Sequence, residues 1–92
     1  MITDEQIGAA IVLKLYKRGN WGASHTSFEN LKKGFKAGEL GKKGLKRIDS
    51  AGKGLIKKGF IIRKPTHYGL EVSLNPKESK RICDMLGGHF NI

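Results

Sequence analysis

The spacing of apolar residues changes from helical to strand-like at Gly59, and this change limits the folds that the sequence can adopt. Before Gly59, Leu45, Ile48 and Leu55 are separated by three and seven residues, as on one face of a helix. After Gly59 the chain reads FIIRKPTHYGLEVSLN, in which β-branched and aromatic residues come first and apolar and polar residues then alternate. A helix followed directly by two strands predicts an α+β domain.

The first helix is marked by a capping box at residues 3–6, in which Thr3 and Gln6 satisfy each other's backbone N–H groups. We expect this helix to run to about Arg18 and to stop at Gly19. The connection that follows carries Trp21, which we expect at the edge of the core. A short strand within this connection is an open alternative.

The second helix has a similar signature, with Thr26 and Glu29 as its capping box and Gly34 and Gly38 as its end. Its apolar residues recur at helical spacing and form one buried stripe. They are Phe28, Leu31 and Phe35.

The third helix is the most costly to form, because glycines interrupt it and each interior glycine costs about 1 kcal/mol relative to alanine. We expect it to start near Glu39, about residues 40–57 forming its body, and to end at Lys57 or Lys58. The alternative is a start near Lys42, with residues 38–41 as the turn.

The rest of the chain predicts a hairpin and one more helix. Strands are expected at residues 60–63 and 70–74, around a turn bracketed by Pro65 and Gly69. Asn75 then caps a last helix, whose first residue is proline and whose apolar positions are Ile82, Met85 and Leu86. Glycines 87 and 88 are expected to end it.

The 92 residues fit one small domain, residues 1–92, with a core from about 4 to 86 and a short tail at 87–92. The tail either folds back through Phe90 and Ile92 or frays. The single cysteine excludes a disulfide framework. The chain opens without a basic, apolar signal segment and has no apolar run of about 20 residues, so we expect a cytoplasmic protein without a membrane partner.

The positive charge of the chain is concentrated in one segment. Residues 32–64 contain twelve lysines and arginines but only two acidic residues, Glu39 and Asp49. The remainder contains six of each sign, so this segment carries the whole net charge of +10. Such segregation is typical of a surface that contacts a polyanion, with nucleic acid the first expectation.

The third helix separates its residues into two arcs at 100° per residue. The arc predicted to face the core contains Leu45, Ile48, Gly52, Leu55 and Ile56, with Gly41 and Gly52 allowing close packing. The opposite arc contains Lys43, Lys46, Arg47, Ser50, Lys53, Gly54 and Lys57. Asp49 is expected on the flank, paired with Lys46 or Lys53.

The candidate nucleic-acid contacts fall on three elements. They are Lys43, Lys46, Arg47, Ser50, Lys53 and Lys57 on the third helix, Lys32, Lys33 and Lys36 on the second, and Arg63, Lys64, Thr66 and His67 on the hairpin. We expect Arg47 to read a base and the lysines to meet phosphates. The alternatives are a solvated helix face and an ordinary polar turn. Tyr68 and Trp21 could stack on bases, although partial burial is the commoner fate of such rings.

The residues give no support to catalysis or to a cofactor. His25, His67 and His89 are far apart in sequence, and neither a zinc-binding nor a phosphate-loop motif occurs. Cys83, beside Ile82, is expected to fill the core. We therefore predict no enzyme activity, no metal and no cofactor.

The order of helices and hairpin, together with the run LIKKGFIIRKPTHYGLEVSLNP, resembles the winged helix-turn-helix superfamily over about residues 4–86. In particular the chain is similar to the small basic winged-helix proteins of archaea. The resemblance implies a third helix in the DNA major groove and a hairpin wing, about residues 60–74, that reaches the backbone or the minor groove.

This resemblance implies double-stranded DNA binding, by a transcriptional regulator or an architectural protein of the nucleoid. Two alternatives stay open, namely binding of RNA or the ribosome, and a protein-assembly module whose basic face docks an acidic partner. A homodimer could form through the first and last helices. The target sequence, the sign of regulation and any effector are not encoded in a recognisable way.

Overall fold

A computed structural model describes residues 3–35 and 43–90. It confirms a compact α+β domain in which helices pack against a three-stranded antiparallel sheet. The elements are α1 (Asp4–Arg18), β1 (Thr26–Ser27), α2 (Phe28–Lys33), α3 (Gly44–Lys57), β2 (Ile61–Thr66), β3 (Gly69–Leu74), a 3₁₀ turn (Pro76–Glu78) and α4 (Ser79–His89). No described helix is long and apolar enough to span a bilayer.

Helix α1 forms as its local signals predict. The Thr3 hydroxyl accepts the Gln6 N–H at 3.1 Å, and the Gln6 side chain accepts the Thr3 N–H at 2.8 Å. The helix ends at Gly19, whose φ of 69° is left-handed. One face of α1 is fully buried and contacts both α3 and α4. That face is Ile7, Gly8, Ala9, Ile11, Val12 and Leu15.

The start of α2 differs from the expectation by one residue. Its N-cap is Ser27, whose hydroxyl accepts the Asn30 N–H at 3.4 Å, and the predicted cap at Thr26 is wrong. The reason is the sheet, because Thr26 is paired with Val72 in β1 and is held in extended backbone. The alternative of a short strand before the second helix is thereby confirmed. Gly34 closes α2 as predicted.

Helix α3 begins at Gly44, after Lys43, whose backbone (φ −106°, ψ 28°) is not helical. A helix that continues through Lys43 from near Glu39 is therefore wrong. The predicted start itself, the alternative start at Lys42 and the inward-facing Gly41 lie in residues 36–42, outside the described residues, as does Gly38. The end at Lys57 is confirmed, and Gly59 turns the chain with a φ of 83°.

The sheet has the strand order β1-β3-β2, so the hairpin supplies its centre and one edge. Strands β2 and β3 pair from Ile61 with Leu74 to Thr66 with Gly69, which confirms the hairpin and lengthens its first strand. Strands β1 and β2 form the two edges of the sheet, and among the described residues no strand pairs with the outer side of β2. Trp21 forms an isolated bridge to Leu74 and is partly buried against the core, as predicted.

The C-terminal helix departs from the sequence expectation at both ends. Asn75 accepts the Lys77 N–H at 3.1 Å, but it caps the 3₁₀ turn, and α4 starts only at Ser79. Glycines 87 and 88 do not end the helix, which runs to His89, because neither adopts the positive φ of a glycine stop.

Two further side chains of this region bear on the predictions. Cys83 is exposed, so its prediction as a core residue is wrong. The buried pair Ile82 and Leu86 fixes the inner face of α4, and Cys83 points about 100° away from Ile82. Phe90 packs against the core, which confirms the part of the tail that folds back. Residues 91–92 lie outside the described residues.

The core lies where α1 meets the sheet, α3 and α4. Its fully buried centre includes Ile7, Ile11, Leu15, Leu31, Ile48, Leu74, Ile82 and Leu86. Because α1 lies on one side of α3, the opposite side of α3 is left facing solvent.

Candidate nucleic-acid interface

The solvent side of α3 carries five exposed residues, which we call the basic face. It consists of Lys43, Lys46, Ser50, Lys53 and Lys57. Within residues 3–35 and 43–90, none of its four lysines forms an ion pair. The four ammonium groups are therefore available to a partner that carries negative charge.

The geometry of the basic face follows from helical spacing. At 100° per residue, its four members within α3 span an arc of about 60°, and the buried residues Gly44, Ile48, Gly52 and Leu55 lie on the opposite side. From Lys46 to Lys57 the face extends about 17 Å along the helix axis, and Lys43 precedes the first turn. It is thus a narrow, straight row of cations on a rigid element.

The inner side of α3 is anchored by one unusually close approach. A Cβ atom on Gly52 would lie 2.6 Å from Cζ and 2.9 Å from Cε1 of Phe28, so only glycine lets α2 and α3 meet at this distance. The prediction that Gly52 permits close packing is confirmed. Gly54 has open space at its Cβ position and lines the groove between α1 and α3, beside the basic face rather than on it.

Leu45 departs from the predicted core arc, because its side chain is 65% exposed. In the first turn of α3 the inner position is taken by the buried Gly44, and Leu45 lies about 100° round the helix from it. Ile56, at the same edge of the arc, is partly buried. The arc that is buried is therefore narrower than the sequence pattern indicates.

Arg47 lies on the flank of α3 that faces α1 rather than on the basic face. Its Nε donates to Oδ1 of Asp4 at 3.0 Å, and its side chain is 22% exposed. The prediction that Arg47 reads a base stays a prediction, and any such contact would compete with Asp4. The sequence gives no signal for this pair, because 43 residues separate its members.

Asp49 pairs with Lys32 of α2 at 2.8 Å, so the prediction that it pairs with Lys46 or Lys53 is wrong. Both of those lysines point outward on α3, whereas Asp49 lies on the side that contacts α2. This arrangement keeps the one carboxylate of α3 off the basic face.

Lys32 serves the fold rather than the surface. Its ammonium group also contacts Glu29 at 2.9 Å, lies 5.5 Å from the centroid of the Phe28 ring, and belongs to a side chain that is only 15% exposed. The hydrogen bonds to Asp49 and Glu29 raise the pKa of Lys32 above its ordinary value of 10.5. Of the other two predicted cations near α2, Lys33 is exposed and Lys36 lies outside the described residues.

The hairpin places Arg63, Lys64 and His67 in solvent. The Thr66 hydroxyl, in contrast, is hydrogen-bonded within the turn. It donates to the Gly69 carbonyl at 2.8 Å and accepts the Tyr68 N–H at 3.2 Å. The interpretation of Tyr68 as partly buried is wrong, since the residue is 100% exposed.

A groove of about 360 Å³ lies between α1 and α3 in the described part of the chain. Its floor consists of Gly8, Ala9, Ala51, Gly54 and Leu55. Charges of both signs, Asp4, Glu5 and Lys58, stand at its rim. In the described ranges, no three histidine, cysteine or carboxylate side chains come together as metal ligands.

No family of known proteins matches this chain, and neither a curated sequence nor a solved structure is similar to it at a significant level.

Proposed function

We propose that this protein is a winged helix-turn-helix protein that binds double-stranded DNA, as a transcriptional regulator or an architectural protein. The observation that carries the proposal is the basic face of α3, with four exposed lysines that have no ion-pair partner among residues 3–35 and 43–90. The layout of three helices, hairpin and final helix agrees with such a fold.

The basic face is poorly explained by stability. Like charges three and four residues apart on a helix repel each other, so a row of lysines destabilises the isolated helix slightly. The same row gains free energy when it meets phosphates, because each neutralised phosphate releases condensed counterions. A partner with closely spaced negative charges therefore accounts for the face.

Duplex DNA fits the dimensions of this surface. A major groove about 12 Å wide admits one α-helix, and a helix in the groove is flanked by phosphates on both sides. In the proposed complex α3 enters the groove, Ser50 and the lysines of the basic face meet base edges and phosphates, and Arg63, Lys64 and His67 of the hairpin contact the neighbouring backbone. Lys33 extends the phosphate contacts beside α2.

Salt-dependent binding to a duplex tests the proposal. Fluorescence anisotropy with a labelled 20-base-pair duplex is expected to show micromolar or tighter binding at low salt, with an affinity that falls steeply as salt rises. The variant Lys43→Gln/Lys46→Gln/Lys53→Gln/Lys57→Gln should bind about 100-fold more weakly, and its log-log salt slope should be shallower by up to about 3.6.

A matched variant separates position from net charge. Lys17→Gln/Arg18→Gln/Lys77→Gln/Lys80→Gln removes the same four charges from exposed positions elsewhere in the chain. It should bind within about fivefold of the wild type, because these residues lie off the proposed interface. Equal losses in the two variants would contradict the proposal.

Two competitors decide between the remaining classes of partner. Preferential displacement by A-form RNA would replace DNA with RNA as the ligand. The absence of binding to the duplex at low salt would refute DNA as the ligand and leave RNA or an acidic protein partner. Comparison of unrelated duplex sequences then distinguishes a regulator, which discriminates among them, from an architectural protein.

A further inference from the structure

The tip of the β2–β3 hairpin, residues 66–69, presents two rings that nothing in the described part of the fold uses. His67 and Tyr68 are both exposed, and Tyr68 is the most exposed large apolar side chain among the described residues. Most exposed rings lie flat against a neighbour. This ring stands clear of the surface with both of its faces open to solvent.

The shape of the turn does not require either ring. Two-residue hairpin turns ordinarily use asparagine, aspartate or glycine at the two central positions. Here the turn is held by the residues on either side, since the Thr66 hydroxyl bridges the Tyr68 N–H and the Gly69 carbonyl, and Gly69 supplies the positive φ of 127°. The side chains at positions 67 and 68 are therefore not needed to form the turn.

The chemistry around the tip indicates which partner such a ring would meet. Arg63, Lys64 and Pro65 on β2 are all exposed, so a flat aromatic ring stands at the end of a cationic strand. Cations that follow a phosphate backbone, combined with a ring on which a base can stack, are the means by which proteins hold single-stranded nucleic acid.

A fully paired duplex offers little to this ring. Its bases are stacked on their neighbours, and a ring that enters between them must first unstack a step. A base without a pairing partner, at an overhang or a gap, exposes its face at a much lower cost.

We propose that Tyr68 stacks on an unpaired base and that the preferred ligand is a duplex with a single-stranded extension. This inference rests on the proposed function, because α3 holds the duplex while the hairpin tip takes the base beyond it. The stacking should raise affinity about 10-fold over a fully paired duplex.

The test compares two labelled DNAs of 40 nucleotides, a blunt 20-base-pair duplex and a 17-base-pair duplex with a six-nucleotide overhang. Equal phosphate numbers cancel the general electrostatic contribution. The wild type should bind the DNA with the overhang about 10-fold more tightly. Tyr68→Ala should lose this preference and bind the blunt duplex like the wild type.

Two substitutions at the same position identify stacking as the cause. Tyr68→Phe keeps the ring and should keep the preference, whereas Tyr68→Leu keeps apolar bulk without a flat face and should lose it. A 2-aminopurine at the first unpaired position should be quenched by the wild type and by Tyr68→Phe, but not by Tyr68→Leu. All three variants should melt like the wild type, because the ring is fully exposed to solvent.

The outcomes separate this inference from the proposed function. Tight binding of the blunt duplex with no preference for the overhang, or a preference that survives Tyr68→Ala, would overturn the role of the tip and leave the role of α3 intact. Failure of the wild type to bind the blunt duplex would overturn the proposed function itself.

Discussion

The two sides of α3 differ in burial and in charge. The inner side packs Gly44, Ile48, Gly52 and Leu55 against the rest of the domain, and Gly52 allows a contact so close that no side chain fits there. The basic face, half a turn away, is exposed, and its lysines form no ion pair among the described residues. The comparison indicates that the residues that stabilise the domain and the residues of the proposed interface lie on separate sides of one helix, so each set can be changed without the other.

A second comparison sets Lys32 against the lysines of the basic face. It shows that a lysine in a strongly basic stretch of sequence can still be paired with carboxylates inside the fold. Lys32 lies in the same basic segment of the sequence, yet two carboxylates hold its ammonium group and its side chain is mostly buried. The position of a carboxylate on a neighbouring helix decides whether a lysine supports the fold or faces a partner.

The largest effect is expected at Gly52. Gly52→Ala should destabilise the domain by about 1 to 2 kcal/mol, because overpacking against the Phe28 ring outweighs the helix propensity gained from alanine. Gly54→Ala is the matched control on the same helix, and it should stabilise by about 0.5 to 1 kcal/mol, since its Cβ meets no atom. Urea unfolding measures both changes.

Duplex affinity should not follow these changes in stability. Neither alanine adds or removes a charge, so at temperatures where both variants are folded their affinity should equal that of the wild type. Stabilisation by Gly52→Ala would show that α2 and α3 are not in close contact.

A smaller effect is expected at Lys32. Lys32→Met keeps most of the apolar stem but leaves Glu29 and Asp49 without their cation, and it should cost about 1 kcal/mol. Because the folded pKa is raised above 10.5, this stabilisation is fully present below pH 10.5 and is lost as the pH rises through the folded pKa.

The difference in unfolding free energy between wild type and Lys32→Met should therefore be constant from pH 7 to 9 and should shrink above pH 10.5. A difference that grows with pH would contradict the assigned pairing. The salt slope of DNA binding should not change in this variant, in contrast to the variants of the basic face.

The smallest effect concerns Asp4 and Arg47. Asp4→Asn breaks their ion pair and should lower stability by less than about 1 kcal/mol, since Asp4 is largely exposed. If Arg47 reads a base in competition with this pair, removing the Asp4 carboxylate should raise duplex affinity about two- to fivefold. Glu5→Gln, one residue along, changes net charge equally but lies against His89. Equal gains in duplex affinity in both variants would mean that net charge alone causes the gain, and they would argue against base reading by Arg47.

The sequence predicted those parts of the fold that depend on local signals. The capping box and the glycine stop mark the two ends of α1, and the apolar and polar residues on either side of the turn at 65–69 mark the hairpin. Both could be predicted because the interacting groups are close in sequence. The separation of charge along the chain likewise pointed to the lysines of α3.

The parts that sequence reasoning missed depend on contacts between distant residues. Leu45 and Cys83 looked buried because periodicity gives the direction of a face but not its width, which is set by how closely the neighbouring elements approach. Thr26 does not cap α2, because it pairs in the sheet with Val72, which is 46 positions away. Lys32 with Asp49 and Arg47 with Asp4 required knowledge of which helices lie side by side.

The open edge of the sheet has a consequence for the behaviour of the protein at high concentration. An unpaired edge strand invites other strands to pair with it and so promotes aggregation. Strand β2 carries charged Arg63 and Lys64 beside Pro65, which has no N–H and sits opposite Leu70 in the register. The same cationic strand that we propose to lie near phosphates thus disfavours edge-to-edge association with a second copy of the chain.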